Sequence, residues 1–382
     1  MLVRSMIVAE KNKNPEKIDM PFVILVLILC GLGMTTLYSG TVGYANRLFG
    51  DPLYFIKRQA LNLIAGICVL FVSASVNFDA VRKRLPALLV FTIILSLMPF
   101  IPGIGISRNG ASRWINLGFS TFQPSELIKI VIVIYLAHIF AKKHDRLDEP
   151  EVSVYPAAMV TFLFTGLVYL QNDFSTAFFI LLVSLSMFFL AGVSIFFFIK
   201  LCLVCIPFLL LMILSKEYRV ERILSFFRPG DDPLGAGYQV NASINALREG
   251  GFWGRGLGNG IKKIASIPEV QSDFIFAVWG EEMGFIGVFL YICLLGLFAW
   301  RGFLVSMKCN DRFRSLLAFG CTVVILLQSL LNCSVVVRLL PATGIPLPFF
   351  SSGGSSLLIT LCLCGCIINV SRWKNRGEFE NV

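Results

Sequence analysis

Apolar residues fall along this chain in long blocks separated by mostly short polar connections. The blocks lie near Pro21–Leu37, Ala60–Val76, Pro86–Phe100, Pro124–Phe140, Pro156–Leu170, Phe174–Ala191, Ser194–Leu214, Phe274–Trp300, Ser315–Val337 and Phe349–Val370. Several approach the ~20 residues that carry a helix across ~30 Å of hydrocarbon. The pattern predicts an all-α polytopic membrane protein of about ten transmembrane helices, with a large extracytoplasmic loop, 215–272, between helices 7 and 8. The division expected is a tail at 1–20, a ten-helix membrane domain at 21–371 and a second tail at 372–382. The first tail is polar and Lys-rich, and the apolar block after it begins too far in for a cleavable signal peptide.

Composition agrees with this class. The chain is 56% hydrophobic and 15% charged, whereas a soluble domain carries roughly a quarter charged residues. The net charge of +10 does not point to nucleic acid, because no basic stripe is interleaved with aromatics. Basic residues gather instead in alternate connections: Lys11, Lys13 and Lys17; Arg82, Lys83 and Arg84; Lys142, Lys143 and Arg146; Arg301, Lys308, Arg312 and Arg314; Arg372, Lys374 and Arg376. The intervening ones hold fewer, chiefly Arg47, Lys57, Arg58, Arg108 and Arg113. The positive-inside rule therefore predicts that both termini are cytoplasmic. Most of the 11 cysteines lie in apolar blocks, as small hydrophobes. Cys362, Cys364 and Cys366 lack convergent His or carboxylate neighbours, so no metal site is read there.

The 215–272 connection is too long to be a mere link. Tyr218, Phe226, Phe227, Tyr238, Phe252 and Trp253 are spread among its charges, which predicts that it folds back on the bundle, partly as short amphipathic helices. Its glycine-dense stretch, Gly250 to Gly260, has no strand before it, so its GxGxxG-like spacing is no dinucleotide signal; it reads as a flexible hinge. No internal repeat is visible, which weighs against common transporter architectures.

Ionisable residues in or beside the blocks carry the candidate chemistry, since each costs ~2.5–3.5 kcal/mol at a helix centre and needs a partner or a task. Glu126 and Lys129 stand three apart on one helical face, as a helix-locking ion pair or as charges in a polar cavity. Asp173 is either a helix N-cap or a ligand-binding carboxylate. Arg219 and Arg222 could clamp phosphate oxygens, or anchor a helix end to lipid headgroups. Glu269, Asp273, Glu281 and Glu282 cluster where the long loop meets the eighth block. Asp273 is at the junction itself, where partial desolvation suits a carboxylate to accept a proton and where an N-cap role is equally open. The run from Leu339 to Ser356 has three prolines and three glycines and cannot be a regular helix; it is expected to form a re-entrant wall.

Several motifs, in order, make the chain similar to the shape, elongation, division and sporulation (SEDS) proteins, the FtsW/RodA/SpoVE group of cell-wall glycosyltransferases. They are Asn109–Gly110–Ala111–Ser112–Arg113–Trp114–Ile115, Gln123–Pro124–Ser125–Glu126–Leu127–Ile128–Lys129, Gly237–Tyr238–Gln239, Pro268–Glu269, Asp273–Phe274–Ile275–Phe276, Glu281–Glu282, and Leu340–Pro341 through Ser356. The resemblance implies a polymerase of lipid II at the outer face of the bacterial cytoplasmic membrane, with Asp273 as general base on the acceptor sugar's 4-hydroxyl. It implies inversion at the donor's anomeric carbon as lipid pyrophosphate leaves. Arg113, Lys129, Arg219 and Arg222 are the candidates to meet the pyrophosphate charge, with Mg or Mn as a possible aid. Substrate-binding roles are also expected for Glu126, Asp173, Gln239, Glu269, Glu282, Ser351 and Ser355. The implied partners are a class B penicillin-binding protein and other divisome or elongasome membrane proteins. Asn172, Ser175, Ser352 and Arg338 depart from the family's usual residues. The Asn109–Gly110–Ala111 and Asp51 to Gln59 stretches resemble the division type, FtsW, whereas Thr343 to Pro348 resembles the elongation type, RodA; the division type is favoured. A lipid II flippase and a non-catalytic scaffold remain the rival readings.

Overall fold

The computed structural model describes residues 18–108, 111–118, 121–215, 217–227, 236–260 and 271–373. Its helices are α1 (Met20–Phe49), α2 (Tyr54–Ser75), the short α3 (Phe78–Lys83), α4 (Leu85–Leu97), α5 (Pro124–Lys142), α6 (Pro150–Leu170) and α7 (Phe174–Ala191). They continue as α8 (Ile195–Leu214), α9 (Glu217–Phe227), α10 (Ala236–Gly250), α11 (Ile275–Met307), α12 (Arg312–Val336) and α13 (Gly354–Ser371). Nine of these, among the described residues, are long and apolar enough to cross a membrane; α4, extended by one 3-10 turn as Leu85–Phe100, is a shorter apolar helix at the position of the third predicted span.

Two predicted spans end too early. The first continues from Leu37 to Phe49 and the eighth from Trp300 to Met307. Hydropathy marks where hydrocarbon contact stops, whereas a helix runs on to a terminator, here Gly50 in the left-handed conformation after α1. The all-α expectation also needs an addition. Between α4 and α5 lies a three-stranded antiparallel sheet, β1 (Gly105–Arg108), β2 (Ala111–Asn116) and β3 (Thr121–Phe122), in the order β1-β2-β3 with an irregularity at Ile106/Ser107. Strands this short leave too few alternating positions to be seen in sequence.

The core runs through α5, α12 and α13, whose side chains are mostly buried. One end of the bundle is tied by charge. Asp19 caps α1, accepts from Arg301 at 2.7 and 2.8 Å, and donates its backbone N–H to Ser371 Oγ at 3.2 Å. Arg314 bridges Asp79 and Asp311 at 3.2 and 3.3 Å and lies over the Trp373 ring. The start of α1, the end of α13 and the 79, 301 and 311–314 regions thus share one end, the grouping that charge distribution predicts.

The described residues of the long connection include two helices. α10 packs on α11 with Val240, Ser243 and Ala246 buried, and α9 contacts α8 and α10. The glycine-dense stretch is not a free hinge. α11 breaks at Gly284 (φ 64°, ψ −162°), which interrupts its internal hydrogen-bond ladder. The glycine stretch takes over: the Glu281 and Glu282 carbonyls accept from the Arg255 and Gly256 N–H groups at 3.1 and 2.9 Å. The Phe285 and Ile286 N–H groups donate to the Gly251 and Phe252 carbonyls at 2.9 and 3.3 Å. A Cβ on Gly254 would lie 2.2 Å from the Glu282 carbonyl oxygen, so backbone meets backbone where no side chain fits.

Gly254→Ala should therefore destabilise the protein by on the order of 3 kcal/mol, from a left-handed backbone (φ 80°) combined with a main-chain clash. Thermal unfolding of the detergent-solubilised protein measures this; an unchanged midpoint would refute the backbone-exchange account.

Candidate active site

At the end of the bundle opposite Asp19, the predicted re-entrant run is a non-helical strap, 337–353, leading into α13. Three of its carbonyls are met by side chains from surrounding helices. Gln59 in α2 donates to the Ser351 carbonyl at 3.0 Å, and Gln328 in α12 donates to the Pro346 carbonyl at 2.9 Å. One turn on, the Asn332 side-chain amide donates to the carbonyls of both Ile345 and Asp273, each at 2.8 Å. Ser351 Oγ accepts from the Leu347 N–H at 2.7 Å and donates to the Ser272 carbonyl.

Three groups of sequence-predicted residues are tied to this strap or to the start of α13 that follows it. The first is Asp273, half-buried in the turn before α11. A Cβ on Gly344, itself at φ 73°, would lie 3.4 Å from Asp273 Oδ2, so the strap walls that carboxylate. The N-cap reading of Asp273 does not hold: Phe274 occupies that position, with no side-chain capping bond to α11 among the described residues. The second is the Glu126–Lys129 pair, both buried, with Nζ 2.7 Å from Glu126 Oε1 and 2.9 Å from Gln328 Oε1. Gln328 thereby connects the ion pair to the strap.

The third group surrounds Asp173. It is the N-cap of α7, accepting from the Thr176 N–H at 3.4 Å and from Gln123 Nε2 at 3.0 Å, with Arg113 at 3.7 Å. Arg113, from β2, also donates to the Asn172 carbonyl at 2.5 Å. Asn172 is left-handed (φ 59°), a conformation asparagine tolerates, so its departure from the family pattern fits the turn. Gln123 donates its backbone N–H to Ser355 Oγ at 3.2 Å, which joins this group to the start of α13. The capping reading of Asp173 holds: the carboxylate is buried, with one oxygen on the Thr176 N–H and Arg113 and the other on Gln123.

Other expected site residues lie apart from these bonds. Arg219 is buried; its guanidinium donates to Tyr169 Oη at 3.0 Å and to the Met212 carbonyl at 2.6 Å, and lies over the Tyr169 and Phe174 rings. That places it beside the Asp173 turn, holding α9 against α6 and α7. Arg222 is on α9, and Gln239 is half-buried in the first turn of α10, its carbonyl accepting from Ser243 Oγ at 2.8 Å. Glu282 is buried beside the α11 break, where Ser39 Oγ lies at 2.5 Å and the Gly258 N–H at 3.2 Å. Glu269 lies outside the described residues. Arg338, also left-handed (φ 58°), donates to the Phe226 carbonyl at 2.9 Å. No group of three or more His, Cys, Asp or Glu side chains able to hold a metal ion occurs among the described residues.

Sequence reading missed Gln59, Gln328 and Asn332. The signal was present: an amide side chain inside an apolar span must find partners, and Gln328 and Asn332 stand four apart on one helical face.

Residues 20–376 match the family model described as cell cycle protein, that of FtsW, RodA and SpoVE. A Geobacter sp. (strain M18) protein named "Probable peptidoglycan glycosyltransferase FtsW" is 38% identical over 94% of this chain and 98% of its own length. Stage V sporulation protein E of Bacillus subtilis is 36% identical over 93% and 97%. Among solved structures, a chain from work on a peptidoglycan synthase complex superposes with a TM-score of 0.77 at 27% identity, covering 94% of this chain and 99% of that one. The Thermus thermophilus rod shape determining protein RodA has the same fold (TM-score 0.66, 24% identity, 94% and 98% covered). From its long apolar helices and these matches over almost its whole length, the chain is a multi-pass membrane protein that belongs to the FtsW/RodA/SpoVE family of cell cycle proteins.

Proposed function

We propose that this protein is a peptidoglycan glycosyltransferase of the division type, which polymerises lipid II at the outer face of the bacterial cytoplasmic membrane. The observation that carries the reading is that the strap walls Asp273 and is tied to the Glu126–Lys129 pair through Gln328, while the Arg113–Asp173 pair is tied through Gln123 to Ser355 at the start of α13. Relatives named FtsW at 37 and 38% identity support both the activity and the division role.

The chemistry follows from these groups. Asp273 takes the proton from the acceptor sugar's 4-hydroxyl as its oxygen attacks the donor's anomeric carbon. The bond from that carbon to pyrophosphate breaks, the configuration inverts, and the electron pair leaves on lipid-linked pyrophosphate. Developing negative charge there needs preorganised cations. Lys129 and Arg219 are buried and engaged with protein partners, whereas the Arg113 side chain keeps 25% of its surface exposed. Arg113 therefore reaches substrate at the least desolvation cost, and Lys129 acts by fixing the local field. A divalent ion, if recruited, would need a carboxylate such as Asp273 to hold it and would supply positive charge for the leaving pyrophosphate.

The Asp273 end then faces outward and the Asp19 end is cytoplasmic, with both tails (1–20 and 372–382) on that side of the 21–371 membrane domain. The working partner is a class B penicillin-binding protein, alongside other division membrane proteins, and nucleic acid plays no part.

Glycan synthesis from lipid II by the purified protein with its cognate transpeptidase tests the reading. Asp273→Asn should lower turnover by at least ~100-fold while lipid II still binds. Equal polymer from both proteins would remove Asp273 from the mechanism. Intact complexes that bind lipid II but never lengthen a chain would leave a transporter or scaffold, and a fluorescent lipid II protection assay separates those two. Arg113→Ala should lower kcat by ~10–100-fold, with part of the loss recovered in Arg113→Lys; unchanged kcat would move the pyrophosphate contact elsewhere.

A further inference from the structure

Three consecutive carbonyls fix the approach to α11. Gln271 accepts from the Ser352 N–H at 2.7 Å, Ser272 from Ser351 Oγ, and Asp273 from Asn332 Nδ2 at 2.8 Å. The first two donors belong to the strap; the third stands on α12, a continuous helix buried in the core. The same nitrogen holds the Ile345 carbonyl at 2.8 Å, one residue beyond Gly344, whose backbone walls the Asp273 carboxylate. Asn332 is buried, and its Oδ1 has no hydrogen-bond partner among the described residues. Its orientation is thus set by the two carbonyls alone, since only the NH₂ group can serve them.

We infer that Asn332 is a positioning residue for the reaction: by tying the Asp273 and Ile345 carbonyls to α12, its amide sets the distance from the Asp273 carboxylate to the acceptor hydroxyl. The inference rests on Asp273 being the base. Asn332 reaches only main-chain atoms, so its effect on chemistry passes through the placement of Asp273. Binding of the lipid and of distant sugars does not depend on it. Misplacing a reacting group by about 1 Å costs up to ~100-fold in rate, so the effect belongs in kcat.

The experiment compares Asn332→Ala, Asn332→Ser and Asp273→Asn in the polymerase complex. Lipid II polymerisation is followed across pH, and folding is checked by monodispersity and thermal midpoint. For folded Asn332→Ala the expectation is a ~10–100-fold lower kcat, a KM for lipid II within about twofold of wild type, and a displaced acid limb of the pH–rate profile. Asn332→Ser, which keeps one donor, should recover part of kcat. A dead Asp273→Asn beside an Asn332→Ala with wild-type kcat and pH profile would overturn the positioning role alone. An active Asp273→Asn would overturn the base and this inference with it. Loss of activity in Asn332→Ala with an unmoved acid limb would assign the loss to another cause and overturn the proposal. Failure of both Asn332 variants to fold would make the residue a folding element and would likewise overturn the positioning role.

Discussion

A non-helical backbone inside a membrane bundle must have its carbonyl and N–H groups satisfied by the protein, because hydrocarbon offers no water to do it. The strap at 337–353 is such a segment, and much of this architecture is organised around meeting that demand. Gln59, Gln328 and Asn332 reach it from two transmembrane helices, and Ser351 turns back on its own strap and on the Ser272 carbonyl. In Gln59 and Asn332 the amide oxygen is left without a partner among the described residues. An unmade bond of this kind costs roughly 1–3 kcal/mol.

The same requirement is met differently where α11 breaks at Gly284. There the donors and acceptors come from another stretch of main chain, residues 251–256, laid directly against the break. Glycine is needed because two backbones share the space that one side chain would fill. Burial of Glu282 against Ser39 and Gly258 closes the arrangement from the side of α1. α11 therefore leaves the strap region in one direction and resumes after the break in another, while its start keeps Asp273 beside the strap.

Charge follows the same logic of enclosure. Glu126 and Lys129 are buried together, and removing one partner from such a pair typically costs about 3–5 kcal/mol because the other is left uncompensated. Gln328, the second partner of Lys129, makes the pair part of the strap's support as well as a source of local field. The Arg113–Asp173 pair is more open, and it sits on a turn whose left-handed Asn172 supplies an additional acceptor. At the other end of the bundle, Asp19 with Arg301 and Asp79 with Arg314 join helix termini distant in sequence.

The sequence by itself determined the solvent, the approximate number of spans, the placement of Glu126 and Lys129 on one helical face and the irregularity of the 339–356 run. Each of these follows from local chemistry: apolar length, the three-residue spacing of a helical face, and the inability of clustered proline and glycine to make a helix. It also marked Asp173 and Asp273 as carboxylates at span boundaries. Only the tertiary structure decided that Asp173 caps α7 and Asp273 does not cap α11, since both sequences look alike before an apolar block. It alone placed the strands between α4 and α5, turned the apparent glycine hinge into a plug for a broken helix, and kept Arg219 and Glu282 with partners other than the strap. The physical reason is common to all of these. Which donor meets which carbonyl depends on segments hundreds of residues apart, such as Gln59 and Ser351, and no local spacing encodes that distance.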